Sequence, residues 1–156
     1  MLLNAAGYSY AQWHKDESGK PIADIDELAI SMTHTAGFAA AALLCAPGET
    51  AALGIDAEKL TPHPRADRLA NRFFGPAERA LCARDATPHT FFTCFTAKEA
   101  FAKYCGDGLA RHLRGDDTAA PDFEKSHGVR FLRFEQNNVL ITLCLPAGCR
   151  PQIIEK

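Results

Sequence analysis

Two stretches of the chain, Gly54–Glu58 and Phe95–Leu109, constrain its fold more than any others. The second lies in the segment Thr90–Tyr104, in which phenylalanines and alanines supply an apolar surface and after which Gly106 follows closely. This pattern predicts a helix that buries one surface and ends at the glycine. Residues 51–58 follow a Pro-Gly turn and favour a short strand. Together they predict an α+β fold in which a small antiparallel sheet packs against a long helix.

Acidic and basic side chains are concentrated in these two stretches. Asp56 and Glu58 are two residues apart, so an extended backbone directs both carboxylates to the same side. Glu99 and Lys103 share one face of the helix, and Lys98 lies about 100° round from Glu99. If strand and helix meet, these groups suit a metal-assisted reaction on a phosphate ester. Solvated acids at a strand end and an ordinary helix ion pair are the alternatives.

The size and composition of the chain indicate a single globular domain. Its 156 residues are 47% hydrophobic and 23% charged, so we expect one domain over 1–156 with a poorly defined segment at 1–18. The formal net charge of -2 predicts neither a nucleic acid nor a membrane as partner. The longest apolar run, 37–46, is about half a membrane span. The six cysteines lack zinc-site or paired spacing, which favours free thiols in a reducing cytoplasm.

The other apolar segments predict the rest of the sheet. Leu28–Met32 favours a strand that is broken at residues 33–37, which puts His34 at a strand end or turn. Phe38–Cys45 fits either a strand or a short buried helix, and its length favours the strand. Residues Val129–Phe134 and Val139–Leu145, separated by a polar turn, predict a hairpin.

Two further helices and a loop are expected around the sheet. Arg65–Phe74 is amphipathic, and a second helix should begin at Pro76, where proline suits a first turn. Ala110–Lys125 lacks apolar periodicity, which predicts a long mobile loop. Arginines recur at helical spacing in the first of these helices and form either a solvated face or a basic docking stripe: Arg65, Arg68 and Arg72.

Three motifs occur in a fixed order along the chain. They are Gly-Ile-Asp-x-Glu at 54–58, Phe-Phe-Gly-Pro-x-Glu-Arg at 73–79, and Phe-Thr-x-Lys-Glu-Ala-x-x-Lys-x-x-Gly-x-Gly-Leu at 95–109. In this combination, which is highly specific, the chain resembles the 4'-phosphopantetheinyl transferase superfamily. Gly19-Lys20-Pro21 and Ile30–Thr35 are similar to two further motifs of its larger, surfactin-synthetase-activating type. The resemblance covers roughly Gly19–Leu109.

The resemblance implies a metal site and a base. Asp56, Glu58 and Glu99 match the family's magnesium ligands, which hold the ion on the pyrophosphate of coenzyme A, and manganese is possible in its place. Glu99 is also the candidate base for the serine of the carrier protein. A hard divalent ion prefers oxygen ligands and bridges pyrophosphate oxygens, so the residue types agree with this role.

The resemblance also assigns the basic residues. Lys98 and Lys103 match the family's lysines, and Lys103 would contact phosphate while Glu99 takes the proton. His34 matches the histidine that binds a phosphate of coenzyme A, and Lys20 falls in the loop that handles its nucleotide end. Ammonium groups at these places would offset charge on the leaving group.

The implied reaction transfers 4'-phosphopantetheine from coenzyme A to a serine of an acyl or peptidyl carrier protein and releases adenosine 3',5'-bisphosphate. Carrier proteins of this class are generally acidic, so the arginine stripe is a candidate docking face. A non-catalytic module that binds coenzyme A or a carrier protein is the alternative function. A third reading treats the acids as solvated and the fold as a subunit of something else.

The chain departs from the family pattern in three places. Thr33 and Thr35 stand where the family usually has serines, and Phe95 stands where tryptophan is common. Relatives with the Gly-Lys-Pro and histidine motifs carry a longer N-terminal pseudo-repeat, whereas Gly19 follows the start of this sequence closely. We therefore expect homo-oligomerisation, as a dimer or trimer with sites at subunit interfaces.

Overall fold

The described backbone forms two antiparallel sheets beside a long helix, which is the expected α+β fold. The computed structural model describes residues 3, 7–9, 11–17, 19–47 and 51–150. The first sheet has the strand order β1-β2-β3-β4 and the second has the order β5-β7-β6. The sequence predicted one small sheet, and the structure divides the strands between two.

The first sheet is built from consecutive antiparallel strands. Its strands are β1 (Trp13–Lys15), β2 (Pro21–Ala23), β3 (Leu28–Thr35) and β4 (Phe38–Cys45). The strand expected at 38–45 is confirmed. The sequence did not predict β1 and β2, because three-residue strands are too short to show an alternating pattern.

The expected break at residues 33–37 is confirmed at Ala36 and Gly37 and is wrong for residues 33–35. Strand β3 continues to Thr35, and its register with β4 runs without interruption from Leu28↔Cys45 to Thr35↔Phe38. The turn is made by Ala36 and Gly37 alone, and Gly37 has φ 76°. Threonine is a good strand former, so the small polar residues extend β3 and do not end it. His34 consequently lies within the strand.

The second sheet joins distant parts of the chain. It comprises β5 (Gly54–Lys59), β6 (Val129–Gln136) and β7 (Val139–Pro146). The predicted hairpin is confirmed, and its two-residue turn places Asn137 at φ 52° and Asn138 at φ 62°. Positive φ at both central residues matches the twist of the flanking strands. Strand β5 pairs along its whole length with the central strand β7, from Gly54↔Cys144 to Lys59↔Val139.

Three of the five described helices lie at the positions that the sequence predicts, and the other two do not. The five are α1 (Ala66–Phe73), α2 (Pro76–Arg84), α3 (Pro88–Cys105), α4 (Leu109–Gly115) and α5 (Phe123–His127). Long helix α3 begins where the Thr87 hydroxyl accepts a hydrogen bond from the Thr90 amide, and it ends at Gly106 in the left-handed conformation.

The expected mobile loop at 110–125 is wrong, because this region contains α4 and α5. Its order comes from specific contacts and not from apolar periodicity. His112 and Phe123 are buried, and the segment between the two helices binds α2 through Asp117 and Thr118. The sequence shows no helical apolar pattern here, because polar side chains and two isolated rings hold this region against the rest of the fold.

Helix α3 packs across β5 and β7. Its inward residues Ala97, Ala100 and Phe101 form a core cluster with Phe131 and Cys144 of the second sheet. Gly54 allows the close approach, because a Cβ atom there would lie 1.9 Å from the Ala100 carbonyl oxygen. The strand that carries Asp56 is therefore held directly against the helix that carries Glu99 and Lys103.

Two further expectations concern the cysteines and the membrane. All six cysteines are free, as expected from their spacing. Within the described residues, no helix has the length and apolar character that crossing a bilayer requires.

Candidate active site

Strand β3 contacts β5 through a row of side-chain hydroxyls, which we call the hydroxyl row: Ser31, Thr33 and Thr35. Ser31 Oγ accepts from the Ile55 amide at 3.1 Å, and Thr33 Oγ1 accepts from the Ala57 amide at 3.2 Å. These bonds give hydrogen-bond acceptors to two backbone amides on the outer edge of β5. The other edge of β5 pairs with β7. The row thus fastens the two sheets to each other.

The same hydroxyls orient the two carboxylates of β5. Thr33 Oγ1 donates to Asp56 Oδ1 at 3.1 Å, and Thr35 Oγ1 donates to Glu58 Oε2 at 3.3 Å. Both acids therefore point to one side of the strand, as the i, i+2 spacing predicts. Sequence reasoning did not assign this role to the threonines, although their spacing matches that of the acids.

Asp56 has one saturated and one unsatisfied carboxylate oxygen. Lys103 Nζ donates to Asp56 Oδ1 at 2.7 Å and to the Ile55 carbonyl oxygen at 2.9 Å. Asp56 Oδ2 is buried and has no hydrogen-bond partner among the described residues. A buried carboxylate oxygen without a partner is costly, so this atom is suited to accept a cation.

Glu99 lies one turn before Lys103 on α3 and interacts electrostatically with both acids of β5. Burial, and then repulsion from Asp56, raises the pKa of Glu99 to about 7, although Lys103 acts in the opposite direction. Burial and the charge of Asp56 also raise the pKa of Glu58. One lysine does not neutralise three neighbouring carboxylates, so the cluster has an excess of negative charge.

This donor set fits a hard divalent cation. Mg²⁺ and Mn²⁺ prefer oxygen ligands, and Asp56, Glu58 and Glu99 offer carboxylate oxygens only. A bound cation would lower the raised pKa values of Glu58 and Glu99 and would give Asp56 Oδ2 the partner it lacks among the described residues. The fit rests on these residues themselves.

A cleft opens beside the carboxylates, between the first sheet and the end of α3. Lys20, Glu99 and Lys103 line it, together with Ser31, Met32 and the glycine turn after α3. Gly106 allows Lys20 to reach across the cleft, since a Cβ atom there would lie 2.6 Å from Lys20 Nζ. The structure therefore brings two of the predicted basic residues, Lys20 and Lys103, to the same cleft as Glu99.

Two predicted site residues lie elsewhere. Lys98 is fully buried on another side of α3, where its Nζ lies 3.0 Å from Glu78 Oε2 and donates to the Asp116 carbonyl. It is an internal counter-charge and is closed to solvent. His34 is exposed, pairs in register with Ala39 and lies outside the set of residues that line the cleft. It alternates with the hydroxyl row, so it belongs to the opposite face of β3.

The predicted basic stripe is present on the surface. Arg65, Arg68 and Arg72 are all exposed at or in α1, and the Arg72 guanidinium lies 5.0 Å from the Phe73 ring centroid. Arg65 and Arg68 also border an open groove against the start of α3. The stripe thus remains available to an acidic surface.

Comparison with known proteins agrees with this geometry. Residues 52–145 match the family model of the 4'-phosphopantetheinyl transferase superfamily, and they include β5, α3 and β7. The chain is similar to 4'-phosphopantetheinyl transferase HetI of Nostoc sp. (strain PCC 7120), with 37% identity over 87 residues. That alignment covers 54% of this chain and 35% of HetI, so the chain spans about a third of that protein's length. Because the family model covers more than half of it, the chain belongs to the 4'-phosphopantetheinyl transferase superfamily.

Proposed function

We propose that this chain transfers 4'-phosphopantetheine from coenzyme A to a serine of an acyl or peptidyl carrier protein and releases adenosine 3',5'-bisphosphate. One observation carries the proposal. Asp56, Glu58 and Glu99 interact electrostatically beside Lys103, and Glu99 and Lys103 line an open cleft. Asp56 Oδ2 has no hydrogen-bond partner within the described part of the chain. Family membership and the name of HetI support the same reaction type.

The three carboxylates would hold the metal ion. Mg²⁺, or Mn²⁺ in its place, supplies charge neutralisation on the pyrophosphate of coenzyme A when bound. Thr33 and Lys103 both hold Asp56 for this task through its Oδ1 atom. Glu58 is held in the same way by Thr35.

Glu99 is the proposed base. Its side chain lines the cleft beside Lys103, so its carboxylate can accept the proton of a hydroxyl that is bound there. In the proposed step, Glu99 takes the proton of the serine hydroxyl as the serine oxygen bonds to the phosphorus that carries pantetheine. The bond from that phosphorus to the bridging oxygen breaks, and the oxygen leaves with adenosine 3',5'-bisphosphate.

Lys103 and Lys20 are the proposed phosphate contacts. Both line the cleft, and an ammonium group offsets charge that builds on a leaving phosphate. We keep His34 as a proposed contact for a phosphate outside the cleft, because it is exposed on the other face of β3. Lys98 has no part in the proposal, since Glu78 and the protein interior enclose it.

The proposed partners follow from the surface. An acidic carrier protein would dock on the stripe formed by Arg65, Arg68 and Arg72, next to the groove that two of these arginines border. We further propose that residues 1–156 act as one domain and that a second copy of the chain completes the cleft. The exposed apolar side chains of Met32 and Leu109 among the cleft-lining residues support this.

The direct test is to incubate the protein with an apo carrier protein, coenzyme A and Mg²⁺, and to weigh the carrier by mass spectrometry. We expect a mass gain of one phosphopantetheine that is lost when the metal is chelated and in an Asp56→Asn variant. Failure of folded protein to modify any of several acyl and peptidyl carriers would refute the proposed activity. Binding of coenzyme A without transfer would instead support a non-catalytic binding module.

A further inference from the structure

A second cluster of side chains with possible metal-ligand atoms lies at the turn between α3 and α4. The Cys105 thiol, a carboxylate oxygen of Asp107 and a ring nitrogen of His112 all lie within 4.8 Å of one another. None of these residues belongs to the carboxylate site described above. Their donor atoms are sulfur, oxygen and nitrogen, whereas the active site offers oxygen only.

The turn between the two helices gathers these donors. Gly106 and Gly108 have φ 79° and φ 96°, and these left-handed conformations reverse the chain directly after Cys105. Arg111 Nη1 binds Asp107 Oδ2 at 2.7 Å, so the other carboxylate oxygen, Oδ1, faces His112 Nε2. The donors are thus positioned by the backbone and by Arg111.

The His112 ring is oriented from its other side. Its Nδ1 lies 2.5 Å from Asp116 Oδ2, one helical turn further along α4. The ring is buried and packs edge-on against Phe101, with a centroid separation of 5.2 Å. A carboxylate on one imidazole nitrogen is common at zinc sites, where the other nitrogen ligates the metal. In His112 that other nitrogen, Nε2, is hydrogen-bonded to Asp107 Oδ1, so a bound ion would lie between these two atoms.

From this arrangement we propose that Cys105, Asp107 and His112 bind a zinc-class divalent ion, with Asp116 orienting the imidazole. Thiolate, imidazole and carboxylate together suit Zn²⁺ or Co²⁺, whereas Mg²⁺ prefers oxygen alone. Three protein ligands leave one coordination position for water or another small ligand. The ion replaces the proton on Nε2 and the proton of the thiol, and both protons pass to solvent.

The proposed zinc site lies next to the cleft of the candidate active site. The turn that carries the proposed ligands also lines the cleft, through Gly106, Gly108 and Leu109. Glu99 and Lys103 line the same cleft. A bound ion would tie Cys105 at the end of α3 to His112 in α4. It would therefore fix the turn that forms one wall of the cleft.

The test uses the full chain, freed of metal with a chelator and then titrated with Zn²⁺ or Co²⁺ alone. Calorimetry should give one Zn²⁺ per chain, and Co²⁺ should give the absorption band of a cobalt–thiolate bond. Cys105→Ser should abolish the band, and Asp116→Asn should weaken Zn²⁺ binding by about 10- to 100-fold. Cys105 is exposed, so its replacement is not expected to disturb folding.

Two control variants separate this site from its alternatives. Cys149→Ser removes another thiol and should leave the cobalt band intact, and Asp56→Asn alters the carboxylate site and should leave Zn²⁺ binding unchanged. The proposal is overturned if no Zn²⁺ binds, if the band survives Cys105→Ser, or if binding is lost in Asp56→Asn. None of these readouts requires transferase activity, so the outcome is independent of the proposed function.

Discussion

Helix α3 carries two lysines, each paired with a carboxylate from another element, and the two pairs differ in how completely the carboxylate is hydrogen-bonded. Lys98 and Glu78 are both 0% exposed and 3.0 Å apart, and Glu78 also accepts bonds from the Gly75 amide and from the amide and hydroxyl of Thr118. Lys103 is 33% exposed, and one oxygen of its partner Asp56 has no hydrogen-bond partner within the described ranges. The first pair is complete within the fold, and the second is not.

The difference shows how to separate a structural ion pair from a binding site. Breaking a closed pair leaves an uncompensated buried charge, so Lys98 and Glu78 anchor α2 to α3. The pair of Lys103 and Asp56, which we call the open pair, instead has a carboxylate oxygen that can still accept a ligand. In sequence the two lysines are merely five residues apart on one helix, about 140° from each other around its axis.

The largest expected effect concerns the acid beside the open pair. Glu99→Gln should lower the transfer rate by about 10²- to 10⁴-fold, because the amide cannot accept the serine proton. Mass spectrometry of the carrier protein over time measures this. Glu135→Gln is the matched control, since Glu135 is exposed and bonded to His89 at the other end of the helix. A fully active Glu99→Gln variant would remove the role of base from Glu99.

The next prediction breaks each lysine pair in turn. Lys98→Met should cost about 3–5 kcal/mol in the free energy of unfolding, because Glu78 stays buried without its cation. Lys103→Met should cost less, on the order of 1 kcal/mol, because Asp56 keeps its bond to Thr33. Urea denaturation measures both. Mg²⁺ should restore stability to Lys103→Met only, and equal rescue of both variants would contradict the comparison.

A smaller effect is expected in the hydroxyl row. Thr33→Val should cost about 1–3 kcal/mol, because the Ala57 amide loses its hydroxyl acceptor and Asp56 Oδ1 loses its hydroxyl donor. It should also raise the Mg²⁺ concentration that gives half-maximal activity. Thr33→Ser keeps the hydroxyl and should restore that value. If valine and serine behave alike, Thr33 does not position Asp56.

The smallest effect is a pH dependence of stability without metal. The pKa of Glu99 in the folded protein is about 7 and lies above the ordinary glutamate value, so its ionisation destabilises the fold as pH rises through that value. Glu99→Gln should therefore raise Tm by a few degrees at pH 8 and by little at pH 5. Thermal unfolding with a chelator present measures this. A larger gain in Tm at pH 5 than at pH 8 would show that the pKa of Glu99 is shifted in the opposite direction.

Local patterns were sufficient for much of the fold. The proline and glycine boundaries of α1, α2 and α3 are visible in the sequence because these residues have strong backbone preferences. The common direction of Asp56 and Glu58 follows from strand geometry alone. Turn chemistry and periodicity act within a few residues, which is why these features need no tertiary information.

Features that depend on distant partners were missed. Helices α4 and α5 were predicted as a loop, because their anchors are contacts such as Thr118 with Glu78, forty positions away. The break assigned to β3 failed because pairing with β4 keeps the strand extended through Thr35. The hydroxyl row had a readable spacing, but its targets on β5 become evident only when the sheets are side by side.

The sequence by itself determined the family motifs, the α+β composition and the acids that make a divalent metal plausible. Tertiary structure alone decided which lysine lies beside the acids of the proposed metal site. Lys98 and Lys103 are the same residue type on one helix, and their surroundings differ because Gly54 brings β5 against one side of α3 while α2 supplies Glu78 to another. Charge is a property of the residue, whereas burial and saturation of its partner are properties of the packed fold.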